Sequence, residues 1–319
     1  MSDIHVLTAA KLSPFFMPQL QAAFSLHERL HEADPAAFAK VAPLVRGVAA
    51  SGDSKVSAEL IAQLPKLEVI SVMGVGYDGV AVEAAKARGI MVTHTPNVLN
   101  DDVADLAIGL MLSAARQLPA ADRYVRDGSW LKGPMPLARK MSGARLGIVG
   151  MGRIGQAIAH RAQAFGMSIA YTTRKARPEL PYRHLPSATA LAAEVDFLVL
   201  ITPGGAGTRH LVNAEVLAAL GKGRGEGILV NVARGSVVDE AALIDALERC
   251  VIAGAGLDVF ADEPRVPERL MALPHVVLAP HIGSATGQTR QAMADLAFGN
   301  LKAHFAGQPV LTPVPECQG

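Results

Sequence analysis

The chain has 319 residues, half of them hydrophobic, and a formal net charge of +1. That length holds about two domains with sizeable cores, and the balanced charge gives no argument for nucleic acid or an anionic membrane surface as partner. Two cysteines, Cys250 and Cys317, are too few for a disulfide framework or a zinc site, and the start MSDIHVLTAA has no signal-peptide pattern; no apolar run is long enough to span a bilayer, so a cytoplasmic protein with no metal is expected.

In chain order, residues 4–8, 47–50, 67–72 and 90–92 read as strands, and 16–23, 57–64 and 80–87 as helices between them. Such alternation implies a parallel sheet covered on both faces. From Asp101, a candidate N-cap, Val103, Leu106, Ile108, Leu110 and Met111 mark a strongly apolar helix. Residues 117–142 carry Gly128, Gly133, Pro134 and Pro136 without a clean period, and are expected to be an arm or extended loop. Residues 146–149 are a short apolar strand. Gly150, Gly152 and Gly155 follow in G-x-G-x-x-G spacing, and Ile154, Ile158, Ala162 and Phe165 then recur on one helix face.

Strand, glycines and helix together make a dinucleotide site. Gly150 allows the tight turn, Gly152 lets the backbone approach a pyrophosphate, and Gly155 lets helix and strand pack closely. The free N–H groups at Arg153 and Ile154 and the positive end of the helix dipole would hold the phosphates. Further strands at 168–171, 197–201, 228–232 and 253–257, helices at 214–220 and 240–248, and a last helix at 288–305 continue a doubly wound α/β pattern.

An NAD site of this type wants an acid about 20 residues beyond the glycines, to accept from the ribose 2′-OH. No acid occurs between Met167 and Glu179; Thr172 and Thr173 stand there instead, followed by Arg174, Lys175 and Arg177. Hydroxyls beside a guanidinium suit a 2′-phosphate. NADP(H) is therefore preferred, with NAD(H) the other cofactor to test. The plainer alternative for the basic run is a solvated strand end.

Three polar residues fall at the ends of predicted elements: Arg234 in NVARGS, Glu263 in LDVFADEP and His281 in APHIGSAT. Ligands of open α/β sheets bind at the carboxyl ends of the strands. Reduction of a ketone by hydride needs a cation to hold a carboxylate and polarise the carbonyl, and an acid to protonate the oxygen. It also needs a carboxylate to orient that acid. Arg234, His281 and Glu263 fit those parts in turn. Taken singly, each has a commonplace reading as a surface ion pair or a solvated side chain.

NVARGSVVDE, GLDVFADEP and APHIGSAT, in this order behind VGMGRIG, resemble the signatures of the D-isomer-specific 2-hydroxyacid dehydrogenases. So do MGVGYDGV and TPNVLNDDVADLAIGL in the first half. The resemblance covers nearly the whole chain. It implies that Arg234, Glu263 and His281 are the catalytic set, that Asp258 lies near the nicotinamide carboxamide, and that Val75 and Gly76 offer backbone N–H groups to the substrate carboxylate. It implies two doubly wound parallel-sheet domains with the site between them: a flavodoxin-like substrate domain of residues 1–99 and 287–319, and a Rossmann-type dinucleotide-binding domain, 100–286, inserted into it. DDVADLAIGL and YTTR are most similar to the NADPH-dependent glyoxylate/hydroxypyruvate reductases. Reductases of larger 2-keto acids, such as 2-ketogluconate or aryl pyruvates, are the alternative, and a dinucleotide-sensing corepressor a further one. The family also implies a homodimer in which residues 117–142 reach across. Trp130, the only tryptophan, would then lie at that contact or pack within its own subunit.

Overall fold

The computed structural model describes residues 3–318. They divide into two compact units, one of the residues up to Leu99 together with those from Thr286, the other Asn100–Ala285. The first unit carries β1 (His5–Thr8), β2 (Ser25–Glu28), β3 (Val45–Ser51), β4 (Val69–Met73) and β5 (Met91–Thr93). They form one parallel sheet in the order β2-β1-β3-β4-β5, the flavodoxin-like arrangement. β4, VISVM, is buried at every position, as a strand covered on both faces must be. The last helix, Gly287–Phe305, covers one of those faces. Its Ala297 carbonyl accepts from the Ser71 hydroxyl at 2.8 Å, and its Phe305 ring fills the space a Cβ at Gly47 would need. This is why the two ends of the chain share a unit.

β2 and the helix Pro35–Val41 have no counterpart in the sequence reading. β2, SLHE, is an edge strand, short and half-polar, and an element paired on one side has no apolar run to announce it. The helix is announced only by Asp34, whose carboxylate caps the N–H groups of Ala36 and Ala37, with Pro35 in the first turn.

The second unit carries β6 (Arg145–Val149), β7 (Ser168–Thr172), β8 (Arg183–His184), β9 (Phe197–Leu200), β10 (Ile228–Asn231), β11 (Gly254–Leu257) and β12 (Val276–Leu278). All pair in parallel, in the order β12-β11-β10-β9-β6-β7-β8. The chain leaves β6 in one direction and returns at β9 on its other side, so the topological switch lies between β6 and β9, where ligands of such sheets bind. Helix Asn100–Arg116 lies against β11 closely enough that a Cβ at Gly256 would meet Leu110 at 2.9 Å. Arg161 of helix Arg153–Gln163 ties the two helices together through Asp101 and Asp105.

The stretch 117–142 is not simply a loop: Leu118–Arg126 is a helix with proline in its first turn, and Ser129–Lys132 a short 3-10 turn. The apolar residues of that helix are on no core face. Leu118 and Val125 are exposed, and a stripe that its own unit leaves open was masked in sequence by Pro119 and the glycines that follow.

Candidate active site

β6 ends at Val149 and the chain turns at Gly150 with φ +101°, where a Cβ would stand 2.5 Å from the Ile201 carbonyl oxygen. A Cβ at Gly155 would overlap the Gly150 carbonyl. These two glycines are forced by the unit's own packing. Gly152 is not, because no atom lies within 4 Å of the place its Cβ would occupy. The space over it is open, and it stands at the start of helix Arg153–Gln163, whose first turn has no side-chain cap. Helices starting at Ala188, Ala214 and Glu240 of the same unit are capped by Ser187, Asn213 and Asp239. An uncapped helix start at Arg153, Ile154 and Gly155 beneath an open glycine fits the pyrophosphate of a dinucleotide.

The end of β7 is held beside this turn, since the Gly150 N–H donates to the Thr172 carbonyl at 3.0 Å. Beyond it the basic run divides. Arg177 donates to the Met151 carbonyl at 2.8 Å and pairs with Glu179 at 2.7 Å, and its own N–H donates to the Tyr171 hydroxyl. It is a strut of the loop. Arg174 and Lys175 are exposed, with no ion pair among the described residues. Thr172 is buried at the strand end, and the Thr173 hydroxyl donates to the Lys175 carbonyl at 2.6 Å.

At the far strands the sheet brings Arg234, Glu263 and His281 together. Asn231, buried at the end of β10, folds the NVARG turn: its Nδ2 donates to the Arg234 carbonyl at 3.0 Å and its Oδ1 accepts from the Ala233 N–H at 3.0 Å. A Cβ at Gly235 would overlap the Phe260 carbonyl, so only glycine lets this turn lie on the one after β11. Glu263 closes that second turn by accepting from the Phe260 N–H at 3.0 Å, and its other oxygen accepts from His281 Nδ1 at 2.7 Å. A carboxylate only accepts, so Nδ1 carries a proton.

His281 stands after β12 and Pro280 with φ +52°, a conformation costly for a non-glycine residue. It is held there from two directions. Its N–H donates to the Asp258 carbonyl at 2.9 Å, and the Asp258 carboxylate accepts from the N–H groups of Ile282 and Gly283 at 2.7 and 2.8 Å. Burial pushes the Asp258 carboxyl above its ordinary range, only partly countered by those two N–H groups and the nearby His281. Burial also pushes Glu263 up. There the His281 hydrogen bond, the Phe260 N–H and the charges of His281 and Arg234 outweigh it, and the carboxyl lies below its usual range.

Val75 and Gly76 follow β4 in the other unit, at its carboxyl end. Asn231 escaped sequence reasoning as a part of the site, and Arg177, read there as one of the basic run, is a strut instead. Asn231 was readable as a polar residue closing an apolar strand, whereas nothing in TTRKAR separates the strut from the free cations.

Comparison with known proteins shows the family. Residues 108–283 match the model of the D-isomer specific 2-hydroxyacid dehydrogenase NAD binding domain. Hydroxyphenylpyruvate reductase of Plectranthus scutellarioides is 45% identical over 98% of this chain and all of its own length. Glyoxylate/hydroxypyruvate reductase A of Arabidopsis thaliana is 44% identical over the same shares, 98% and 100%. Among solved structures, the NADPH-dependent glyoxylate/hydroxypyruvate reductase of Sinorhizobium meliloti, in complex with NADP and malonate, superposes with a TM-score of 0.92 at 47% identity, covering 99% of this chain and 98% of that one. The chain belongs to the D-isomer-specific 2-hydroxyacid dehydrogenases.

Proposed function

We propose that the protein reduces a small 2-keto acid, glyoxylate or hydroxypyruvate, to the D-2-hydroxy acid with NADPH. The observation that carries this reading is the Glu263–His281 pair, 2.7 Å apart, with the Arg234 charge acting on the same carboxylate. NADPH, held by the residues described above, would supply the hydride for the carbonyl carbon. Arg234 holds the substrate carboxylate and polarises the carbonyl with its planar fork. His281, its Nδ1 committed to Glu263, donates a proton from Nε2 to the oxygen as negative charge develops there, so hydride and proton together make the new C–H and O–H bonds. Glu263 orients the ring and favours its protonated form. Asp258 fastens the His281 loop, and lone pairs left on its carboxylate suit a nicotinamide carboxamide. Val75 and Gly76 offer N–H groups to the carboxylate.

Residues 1–99 and 287–319 then serve the substrate and 100–286 the cofactor, with Arg153 and Ile154 at the pyrophosphate and Thr172, Thr173 and Arg174 at the 2′-phosphate. The NADP found in the Sinorhizobium meliloti relative supports that cofactor. The hydroxyphenylpyruvate reductase relative, 45% identical, favours a second reading in which larger 2-keto acids are also reduced. Exposed Leu118, Val125, Trp130, Leu131 and Leu137, all on one short stretch, support a homodimer through residues 117–142; the cytoplasm is the proposed location. A steady-state panel of glyoxylate, hydroxypyruvate, 2-ketogluconate and 4-hydroxyphenylpyruvate, each with NADPH and NADH, tests the assignment. The highest kcat/KM belongs to a two- or three-carbon acid with NADPH, and a larger acid or NADH in first place would overturn it.

A further inference from the structure

The peptide between Val75 and Gly76 is trans, so its carbonyl and its N–H face opposite ways. Whatever pins the Val75 carbonyl therefore also aims the Gly76 N–H. That carbonyl accepts from His94 Nδ1 at 3.0 Å, and since a carbonyl only accepts, Nδ1 carries the proton. The next carbonyl back is pinned too, with the Thr95 N–H donating to Gly74 at 2.8 Å.

His94 is itself locked to the end of the chain. Its N–H donates to the Thr312 carbonyl at 3.1 Å, and its carbonyl accepts from the Thr312 hydroxyl at 2.6 Å. Asn300, fully buried in the last helix, accepts from the N–H groups of Leu311 and Thr312 at 2.9 and 3.0 Å. Tyr77, in the same loop as Val75, sets its ring edge-on to His94, 5.3 Å between centroids at 88°. Its hydroxyl donates to Glu316 at 3.1 Å. Burial, helped by the Glu316 carboxylate, pushes the phenol up to about 12, so it remains a donor at any working pH.

We infer that His94, with Tyr77 and Glu316 behind it, is a positioning residue for the substrate carboxylate, presetting the Val75–Gly76 peptide from the C-terminal segment. N–H groups fixed before the ligand arrives cost no ordering when it binds. This inference rests on the reading of Val75 and Gly76 as carboxylate donors. The role belongs to ground-state binding, so it is expressed in the substrate KM rather than in the proton or hydride step.

The test uses the full-length enzyme with glyoxylate and NADPH. His94→Ala raises the glyoxylate KM about tenfold, the worth of one lost hydrogen bond, while kcat stays within about twofold and the KM for NADPH is unmoved. His94→Asn, whose amide can donate to the same carbonyl, recovers most of the loss. Tyr77→Phe and Glu316→Ala give smaller rises that do not add to that of His94→Ala, because all act through one peptide. An unchanged KM in His94→Ala overturns the inference, as does failure of His94→Asn to recover it, or a fall in kcat together with a rise in the NADPH KM. Gly76→Pro, which removes the N–H outright and is checked for folding by circular dichroism, separates the two layers. If it raises the glyoxylate KM while His94→Ala does not, the positioning inference fails and the carboxylate reading stands. If neither variant changes the KM, both fail.

Discussion

Arg174 and Arg177 belong to one basic run and take different parts in it. Arg177 is bound to the Met151 carbonyl and Glu179, so its removal loosens the loop for any cofactor. Arg174 is exposed and without an ion pair among the described residues, and is the group proposed to meet a 2′-phosphate. A charge-assisted hydrogen bond of that kind contributes roughly 1.5–3 kcal/mol, about ten- to a hundredfold in affinity. Arg174→Ala should raise the KM for NADPH by that order and leave the KM for NADH nearly unchanged. Equal weakening of both cofactors in steady-state assays would return the run to an ordinary solvated strand end. Glu263 makes a prediction about pH. Its carboxyl is held below the usual range by the pair with His281, so the pair is intact above the ordinary carboxylate range and is lost only as pH falls through the lowered value. In the proposed mechanism reduction needs the protonated His281 ring, and the carboxylate favours it. In Glu263→Gln the ring gives up its proton earlier as pH rises, and the alkaline limb of the reduction profile moves to lower pH. A limb that stays in place in kcat/KM against pH would count against the dyad. At this scale the sequence shows Arg234, Glu263 and His281 as polar residues at strand ends. It does not show that Asp258 grips the Ile282 and Gly283 N–H groups, since that contact joins two turns well separated in the chain.

Elements were legible in proportion to their burial. β4, β9 and β10 are buried at every position and read as mostly apolar runs, interrupted in β4 by Ser71 and closed in β10 by Asn231. β8, the polar pair Arg183–His184 at a sheet edge, carries no such run, and β12, VVL, is apolar but only three residues long and half-buried. The helix Leu118–Arg126 escaped for the opposite reason: its apolar residues are there but meet no core. Leu131 at 94% and Leu137 at 100% exposure lie just beyond it, an arrangement that costs solubility unless a second copy covers it. Sedimentation at micromolar concentration should give a dimer for the wild type and a monomer for Leu131→Asp combined with Leu137→Asp. A monomeric wild type would remove the dimer.

For the molecule as a whole, the two sheet orders follow from the chain's alternation of short strands and helices, and the doubly wound class could be read from that alone. The supports of the Val75–Gly76 loop could not. His94, Asn300, Thr312 and Glu316 come from distant parts of the sequence, and no periodicity or spacing joins them before the last helix folds onto β4. The proposed mechanism has His281 protonate the carbonyl oxygen of a 2-keto acid. It is tested most directly by His281→Ala under conditions where chemistry limits turnover, with NADPH affinity followed in parallel by fluorescence titration. With His281 as the acid, kcat falls by about 10²–10⁴, the usual worth of a positioned general acid, and NADPH binding stays essentially intact. A variant that keeps the wild-type kcat would contradict it.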